Sequence, residues 1–296
     1  MRFYRDYELV IGIGDTAIVI NPPFRVAFTA DKSVDKKLNK LTLKVYNLKE
    51  ETRLKIVKLE DDKTHFPVSL KIGYDGKKEL IFKGSIVKSA NLRDGAEFCN
   101  ELECLDGGAD ALGSFTNKTV KGTNKNIIET ILADMPNTSK GKITNGQNLI
   151  RPKVLVGNSA DLIERSLAPD EDFFIDNEQL YIIKKNEVIS EVIPVVSAQS
   201  GLIDTPRNTE EKTEEKDGKK KKTDSGKEKT KGEVSFKSLL NPTLRVGGLC
   251  EIQSKTAPHI NGLWKIINIQ YVGDSEGNDW FQTVECQRAK DYTVVK

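Results

Sequence analysis

The sequence predicts a mainly β fold with a shorter α+β segment in the middle of the chain. Apolar and polar residues alternate over residues 41–45 and 68–72, which is the period-two pattern of half-buried strands. Turn-forming clusters separate these runs: Tyr-Asp-Gly at 74–76, Arg-Asp-Gly at 93–95 and Asp-Gly-Gly at 106–108. Short strands at such spacing predict an antiparallel barrel or sandwich over residues 1–117.

Helical periodicity begins after residue 122. Apolar residues then recur at the spacing of one helix face: Ile127, Ile128, Ile131, Leu132 and Met135. Thr123 or Asn124 can cap this helix, and Pro136 ends it. A second helix is predicted over residues 159–168, capped by Asn158 or Ser159 and ended by Pro169.

A hairpin and one further strand complete the α+β segment. The apolar runs at 173–175 and 180–183 flank Asp176-Asn177, a turn signal, and therefore predict a β-hairpin. We expect the next strand over residues 188–196.

Residues 207–233 differ in composition from the rest of the chain, because they include no aliphatic or aromatic side chain. Such a segment cannot bury enough apolar surface to offset its ordering entropy, so we predict a disordered insertion. Lys219–Lys222 allow a second interpretation, a polybasic tether for nucleic acid or lipid. We favour a solvated insertion, because glutamates at 210, 211, 214 and 215 lie within about a Debye length of the lysines.

The C-terminal region is again rich in β patterns. Strands are predicted over residues 246–253, 262–271 and 280–287, with a hairpin loop at 272–278. We therefore divide the chain into four parts: a first β-barrel at 1–117, the α+β segment at 118–200, the charged insertion at 201–233, and a second β-barrel at 234–296. Strand 188–196 is a candidate for completing the second barrel.

Charge and hydropathy exclude several classes of protein. The insertion at 207–233 holds 10 of the 46 basic and 8 of the 44 acidic residues, so the rest of the chain carries 36 of each. A neutral body lacks the basic footprint of a nucleic-acid binder. We expect neither a transmembrane helix nor a secretory signal, since no run of about 18 apolar residues occurs.

Cysteine and histidine patterns predict no catalytic or metal site. Cys99, Cys104, Cys250 and Cys286 form no C-x-x-C pair, and His65 and His259 are the only histidines, so no zinc pattern arises. We expect the cysteines to be buried small hydrophobes. Both histidines lie in predicted turns, which argues against a Cys/His or Ser/His/Asp nucleophile system.

Other motifs also fail to predict catalysis. Residues 12–17 match G-x-G-x-x-A, but Ile-Val-Ile and two prolines follow, so the glycines mark a bend in a strand rather than a dinucleotide site. Glu101 and Glu103 share one face of a strand, which we expect to face solvent. Residues 170–172 are acidic but lack the spacing of a calcium loop. We therefore predict a non-enzymatic protein with no catalytic, cofactor-binding or metal-binding residue.

A family resemblance emerges from motifs in a fixed order along the chain. The C-terminal motifs are Asn-Pro then Gly-Gly within 239–252, Asn-Gly-Leu-Trp-Lys-Ile at 261–266, Gly-Asp at 273–274 and an aromatic-led strand at 280–286. Earlier motifs are a strand at 44–48, strands at 74–84, a helix at 157–164 and a hairpin at 173–182. Together these motifs resemble the baseplate hub proteins of contractile-tailed phages and related tail machines. Two departures are the insertion at 207–233 and the lack of the histidine that members often carry near Tyr271.

The resemblance implies an architecture and a set of partners. Each subunit would contribute two tail-tube-like β-barrels to a homotrimer, and three copies would form a pseudo-sixfold ring. The ring would join the tail tube protein to the central spike protein, with tape measure and baseplate wedge proteins as further neighbours. DNA would meet it only by passage through the channel. Such a protein is a virion component of the tail baseplate and is assembled in the host cytoplasm.

Two other functions remain open at this point. The first is a tail-associated peptidoglycan hydrolase that uses paired carboxylates, which need no histidine. The second is a β-barrel protein that binds nucleic acid through Lys219–Lys222. We also expect Trp264 to lie within the second barrel or at its interface.

Overall fold

The computed structural model of the protein describes residues 4–35, 38–58, 66–144, 152–190, 192–209, 233–289 and 291–295. The first β region contains β1 (Arg5–Ile11), β2 (Ile18–Ile20), β3 (Val26–Ser33), β4 (Lys40–Tyr46), α1 (Glu50–Lys58), β5 (Phe66–Tyr74), β6 (Lys77–Asp94), β7 (Glu97–Leu105) and α2 (Gly108–Gly113).

The middle segment contains β8 (Phe115–Val120), α3 (Asn124–Leu132), β9 (Ser139–Ile143), β10 (Lys153–Asn158), α4 (Ser159–Glu164), β11 (Glu171–Ile175), β12 (Gln179–Lys184) and β13 (Glu187–Val188). The last region contains β14 (Val195–Ser197), β15 (Arg207–Asn208), β16 (Val234–Leu239), β17 (Leu249–Gln253), β18 (Gly262–Asp274), β19 (Trp280–Arg288) and β20 (Thr293–Val294). None of the helices within these ranges is long and apolar enough to cross a bilayer.

One large sheet runs through both β regions. Its strands lie in the order β15-β16-β19-β18-β3-β4-β7-β6-β5-β1-β2, with β17 beside β18 and β14 beside β17. Among the described residues these pairings follow an open path from β15 to β2 rather than closed rings. Every pairing in the sheet is antiparallel except that of β14 with β17. The predicted fold class, mainly β with an α+β middle segment, is confirmed.

Two hydrophobic cores correspond to the two kinds of structure. The larger core draws its side chains from both β regions, including Leu41 and Val284. The smaller core lies in the middle segment and includes the predicted face of α3, with Ile127 and Ile131 fully buried. Burial of these alternating and helically spaced residues supplies most of the driving force for the folding of each core.

The predicted elements of the middle segment form, with two corrections. Thr123 caps α3 by accepting a hydrogen bond from the Asn126 amide at 3.2 Å, and β11 pairs with β12 as the predicted hairpin. Helix α4 is shorter than predicted: it ends at Glu164, because the Ser166 and Leu167 amides bond three residues back in a tightening turn.

The single strand predicted over residues 188–196 is wrong. Instead β13 pairs in parallel with β20, and β14 pairs in parallel with β17. Pro194, which lies between them, has no amide hydrogen to donate to a sheet, although its carbonyl accepts from the Glu251 amide at 3.0 Å. The two ends of residues 188–196 therefore pair with different strands, β20 and β17, and the run does not form one strand.

Candidate functional site

The two β regions meet along one strand pair, β3 with β18. Seven residues pair in register, from Ser33 opposite Asn268 to Ala27 opposite Asp274. The first half of β18 pairs instead with β17, and its irregularity between Ile266 and Asn268 separates the two halves. This junction merges strands more than 230 positions apart in the chain into one sheet.

Asp274 organises the loop at the end of this junction. Its carboxylate accepts hydrogen bonds from the Glu276 and Gly277 amides at 3.1 and 3.0 Å, and from Arg25 Nη2 at 2.9 Å. Burial alone would raise the pKa of Asp274, but these hydrogen bonds to its charged form lower it. The Gly-Asp motif recognised in the sequence therefore holds a hairpin loop closed.

Arg5, on the N-terminal strand β1, donates hydrogen bonds to the same loop. Its guanidinium donates to the carbonyl oxygens of Asp274 at 2.8 Å, of Gly277, and of Asn278 at 3.2 Å. The group also lies 5.7 Å from the centre of the Trp280 ring. A planar guanidinium group can donate to several acceptors at once. These hydrogen bonds therefore connect β1 to the β18–β19 loop.

Gly273 permits close packing at this position. A Cβ atom there would lie 2.4 Å from the Phe28 ring, which makes an edge-on contact with Trp280 at a centroid distance of 5.7 Å. We expect Gly273→Ala to lower the free energy of unfolding by about 1–3 kcal/mol through overpacking, as measured by urea denaturation. Gly113→Ala is the control, since its new methyl group meets open space; equal losses in both variants would contradict this explanation.

A buried charged cluster joins the β11–β12 hairpin to the large sheet. Lys32 Nζ donates to Asp176 Oδ1 at 2.5 Å and to Asn177 Oδ1 at 2.8 Å. The Asp106 carboxylate accepts from the backbone amides of Asn177 at 2.6 Å and Glu178 at 2.7 Å. Lys32, Asp106 and Asp176 are all at most 5% exposed. We call Lys32, Asp106, Asp176 and Asn177 the hairpin lock.

The hairpin lock stabilises a turn whose backbone conformation is unfavourable for most residue types. Asn177 and Glu178 have φ values of 55° and 59°, the left-handed pair required by a type I′ hairpin turn. Asp106 satisfies both central amides of that turn, and Asn39 Nδ2 donates to the Ile175 carbonyl at 2.8 Å. The middle segment is therefore attached to the first β region through hydrogen bonds that are buried away from water.

Burial, reinforced by the charge of Asp176, raises the pKa of Asp106 from 3.8 to about 7, although Lys32 and the turn amides oppose the rise. Because the folded state binds this proton more tightly than the unfolded state, the contribution is complete below about pH 4 and is lost as pH rises through 7. We expect stability in urea to fall between about pH 4 and pH 7, and Asp106→Asn to reduce that slope. An unchanged slope in the variant would contradict the assignment.

The solvent face of the sheet carries paired charges. Lys40 and Glu103 lie 2.9 Å apart, Lys44 and Glu101 3.9 Å, and both pairs bridge β4 and β7. Lys71 and Glu8 lie 2.7 Å apart across β1 and β5. Glu101 and Glu103 thus face outward as predicted, each beside a lysine.

The remaining predicted residues are dispersed. Cys99, Cys104, Cys250 and Cys286 are free and buried, as predicted. Cys250 and Cys286 have sulfur atoms 3.9 Å apart but lie on β17 and β19, two strands apart. Burial raises the pKa of the Cys104 and Cys286 thiols, which makes them unreactive.

Other candidates occupy structural positions. Residues 12–17 form a short turn between β1 and β2, as expected from the bend signal. His259 is exposed, and Glu171 accepts from the Ala168 amide at 2.9 Å. His65 and Lys219–Lys222 lie outside the described residues. The disordered insertion predicted to begin at residue 207 is wrong at its start, because Arg207 and Asn208 pair with β16 as β15. Within those residues, no three His, Cys, Asp or Glu side chains are grouped to hold a metal ion.

The hairpin lock was not predicted from the sequence. Asp106 and Asp176 were interpreted only as turn residues, and Lys32 was not singled out. A signal did exist: Lys32 continues the core-facing register of Val26, Phe28 and Ala30 along β3. A lysine at an inward position of an alternating strand indicates a buried charge partner.

Comparisons with known proteins agree on the class of protein. A family model described as baseplate hub gp41 matches residues 7–214, which is well over half of the chain. No curated protein matches the sequence.

Among solved structures, a 43 kDa tail protein of prophage MuSo2 from Shewanella oneidensis has a TM-score of 0.62 and 10% identity, covering 95% of this chain and 98% of that one. A tail protein from Neisseria meningitidis has a TM-score of 0.59 and 10% identity, covering 95% and 96%. A component of the E. coli type VI secretion system has a TM-score of 0.57 and 10% identity, covering 91% and 75%.

These structural likenesses establish a shared fold, and the family match establishes the kind of protein. Both agree with the resemblance found in the sequence motifs, which is thereby confirmed. The chain is a tail component and belongs to the baseplate hub gp41 family.

Proposed function

We propose that this protein is the structural hub subunit of a phage-type tail baseplate. Three copies form a pseudo-sixfold ring that joins the tail tube protein to the central spike protein. Tape measure and baseplate wedge proteins are its further neighbours, and the ring is assembled in the host cytoplasm before it becomes part of the virion. We retain the division into two tube-like β regions, 1–117 and 234–296, an α+β segment at 118–200 and the insertion at 201–233.

The β3–β18 junction is the observation that supports this proposal most. It places both β regions in one sheet, so a single subunit supplies two successive pieces of a wall. Three such subunits supply six pieces, which suits a threefold spike on one side and a sixfold tube on the other. Arg25 and Arg5 of the first β region add hydrogen bonds to Asp274 of the second.

The charge-paired face of this sheet suits a channel wall. Cross-strand lysine–glutamate pairs leave it polar without a surplus of positive charge. A wall of that kind lets a polyanion pass, because phosphate contacts with unpaired lysines are what hold DNA. We propose that this face lines the channel and that DNA meets the protein only there.

A non-enzymatic role follows from the same face. Glu101 and Glu103 each pair with a lysine. A glycosidase needs one carboxylic acid that stays protonated. The pKa of Glu103 is in fact lowered, by the hydrogen bond and charge of Lys40. Zymography on peptidoglycan is expected to show no clearing; clearing that Glu103→Gln abolishes would instead support the hydrolase.

The direct test is the mass of the purified chain by light scattering after size exclusion. We expect a particle of three times 33.0 kDa at high concentration, and averaged electron micrographs that show a ring with six similar lobes. A strict monomer, both alone and mixed with the spike protein, would contradict the ring.

Deleting residues 212–230 is expected to leave folding and the mass of the assembly unchanged, because it spares β15 (Arg207–Asn208), which pairs with β16. The segment has no apolar side chain to contribute to a core. Far-ultraviolet circular dichroism and light scattering would measure both properties. A gel-shift assay on duplex DNA completes the test: salt-sensitive binding that the deletion removes would favour the nucleic-acid function of Lys219–Lys222.

A further inference from the structure

The two-stranded sheet of β8 and β10 has one buried face and one exposed apolar face. Thr116 and Leu155 point into the smaller core and are fully buried. On the opposite face Phe115 is 62% exposed, Val154 69% and Val156 54%. The register places Val156 opposite Asn117, which brings Phe115 to a diagonal position on the same face. We call Phe115, Val154 and Val156 the apolar face.

This face differs from the charge-paired faces of β4 and β7. The outer faces of β4 and β7 carry lysine–glutamate pairs, whereas here large hydrocarbon side chains take those positions. Leu112, at 66% exposure three residues before Phe115, extends the apolar surface. Scattered apolar residues are ordinary on a protein surface, but a contiguous set on one sheet face is typical of an interface.

The strand edges around this face are also free. Within the described ranges β8 pairs with β10 alone, and each strand has an outer edge without a sheet partner. A two-stranded sheet is marginal in water and gains stability when a third strand adds to it. An open edge beside an apolar face is the arrangement used for recognition by strand addition.

The chain itself carries a matching edge at β2. This strand ends the large sheet, and its outer edge has no partner among the described residues. Val19 on β2 is 56% exposed, and Ile13 in the preceding turn is 76% exposed. Asp15 is exposed in that turn, while Lys121 is exposed just after β8. The two surfaces therefore each have a free strand edge and exposed apolar side chains, and Asp15 and Lys121 offer one pair of opposite charges.

We infer that the apolar face of β8 and β10 receives the β2 edge of a second copy of this chain. The contact joins two different patches of identical subunits, so it is heterologous and can close a ring. The inference rests on the proposed ring and names the surfaces that build it. It also assigns the middle segment a role in assembly, apart from the sheet that would line the channel.

Cysteine cross-linking tests the pairing directly. Chains with Val19→Cys and chains with Val156→Cys are mixed and oxidised with copper–phenanthroline, while all four native thiols are buried and give little background. We expect a disulfide-linked dimer only in the mixture, and the double variant should form a ladder that stops at the trimer. Val195→Cys, on the edge strand β14 and 40% exposed, is the matched control for Val19→Cys.

Surface variants supply the energetic test. Phe115→Asp is expected to weaken self-association at least about tenfold by light scattering across a dilution series, as for an aromatic anchor at an interface. Leu92→Asp, at a site 46% exposed on β6, is expected to leave association unchanged. Asp15→Lys and Lys121→Glu should each weaken association, and their combination should restore it.

The outcomes separate this inference from the proposed function. A trimer that forms equally well with Phe115→Asp, or that cross-links through Val195→Cys instead of Val19→Cys, overturns the inference and leaves the hub function standing. A chain that never self-associates overturns both. Circular dichroism of each variant shows whether a lost assembly reflects a lost fold.

Discussion

Replacing Lys32 by methionine is expected to lower the free energy of unfolding by about 3–5 kcal/mol, because it leaves a buried charge without its partner. Lys32 is 5% exposed, and its ammonium lies 2.5 Å from Asp176. Asp106 lies in the same buried cluster and would lose the attraction of that ammonium. Urea denaturation at pH 8, above the pKa of about 7 for Asp106, measures the full effect.

A second substitution distinguishes charge from packing. Asp176→Asn removes the charge that the first variant leaves unpaired while keeping the size of the side chain. The double variant is expected to recover more than half of the lost stability. If Lys32→Met alone costs under about 1 kcal/mol, or if the double variant recovers nothing, the lock does not depend on charge pairing.

Trp264→Ala is expected to lower the free energy of unfolding by about 3–5 kcal/mol, the usual cost of removing a large aromatic core residue. Trp264 is 5% exposed and belongs to the larger core, which agrees with its predicted place in the second β region. Its Nε1 donates to the Ile260 carbonyl at 2.7 Å, and the Arg288 guanidinium lies 5.7 Å from the ring centre. Urea denaturation measures the loss.

Trp264→Phe is the control for this experiment. Phenylalanine retains much of the buried hydrocarbon but leaves the Ile260 carbonyl without its donor, so we expect a loss of about 1–3 kcal/mol. Near-native stability of Trp264→Ala would place the ring at the surface. Equal losses in both variants would show that the hydrogen bond, rather than the volume of the ring, dominates.

The hairpin lock connects stability to the proposed assembly. It ties the β11–β12 hairpin to β3, the strand that also forms the junction with β18. The middle segment, which carries the apolar face, is therefore attached close to the junction that holds the two β regions together. Loosening the lock is expected to weaken ring formation as well as folding.

Local patterns correctly predicted the elements whose apolar residues recur most regularly. The helix at Ile127 and Ile131, the hairpin around Asp176 and the C-terminal strand around Trp264 all depend on side chains that are close in the sequence. Two local expectations were wrong for a reason outside the local pattern. The apolar run at 188–196 finds two different strand partners, and α4 tightens into a turn before its predicted end.

The amino-acid sequence alone determined the fold class, the order of the β and α+β regions, the neutral charge of the body and the resemblance to tail hubs, because periodicity, turn residues and motif order are local properties. Only the tertiary structure decided that β3 pairs with β18, that Lys32 is buried against Asp176, and that Phe115 and Val156 share an exposed face. Strand pairing and charge burial depend on which distant segments meet, and many pairings satisfy the same alternation. The choice among them is made by the combined burial of the whole sheet, which no single window of sequence contains.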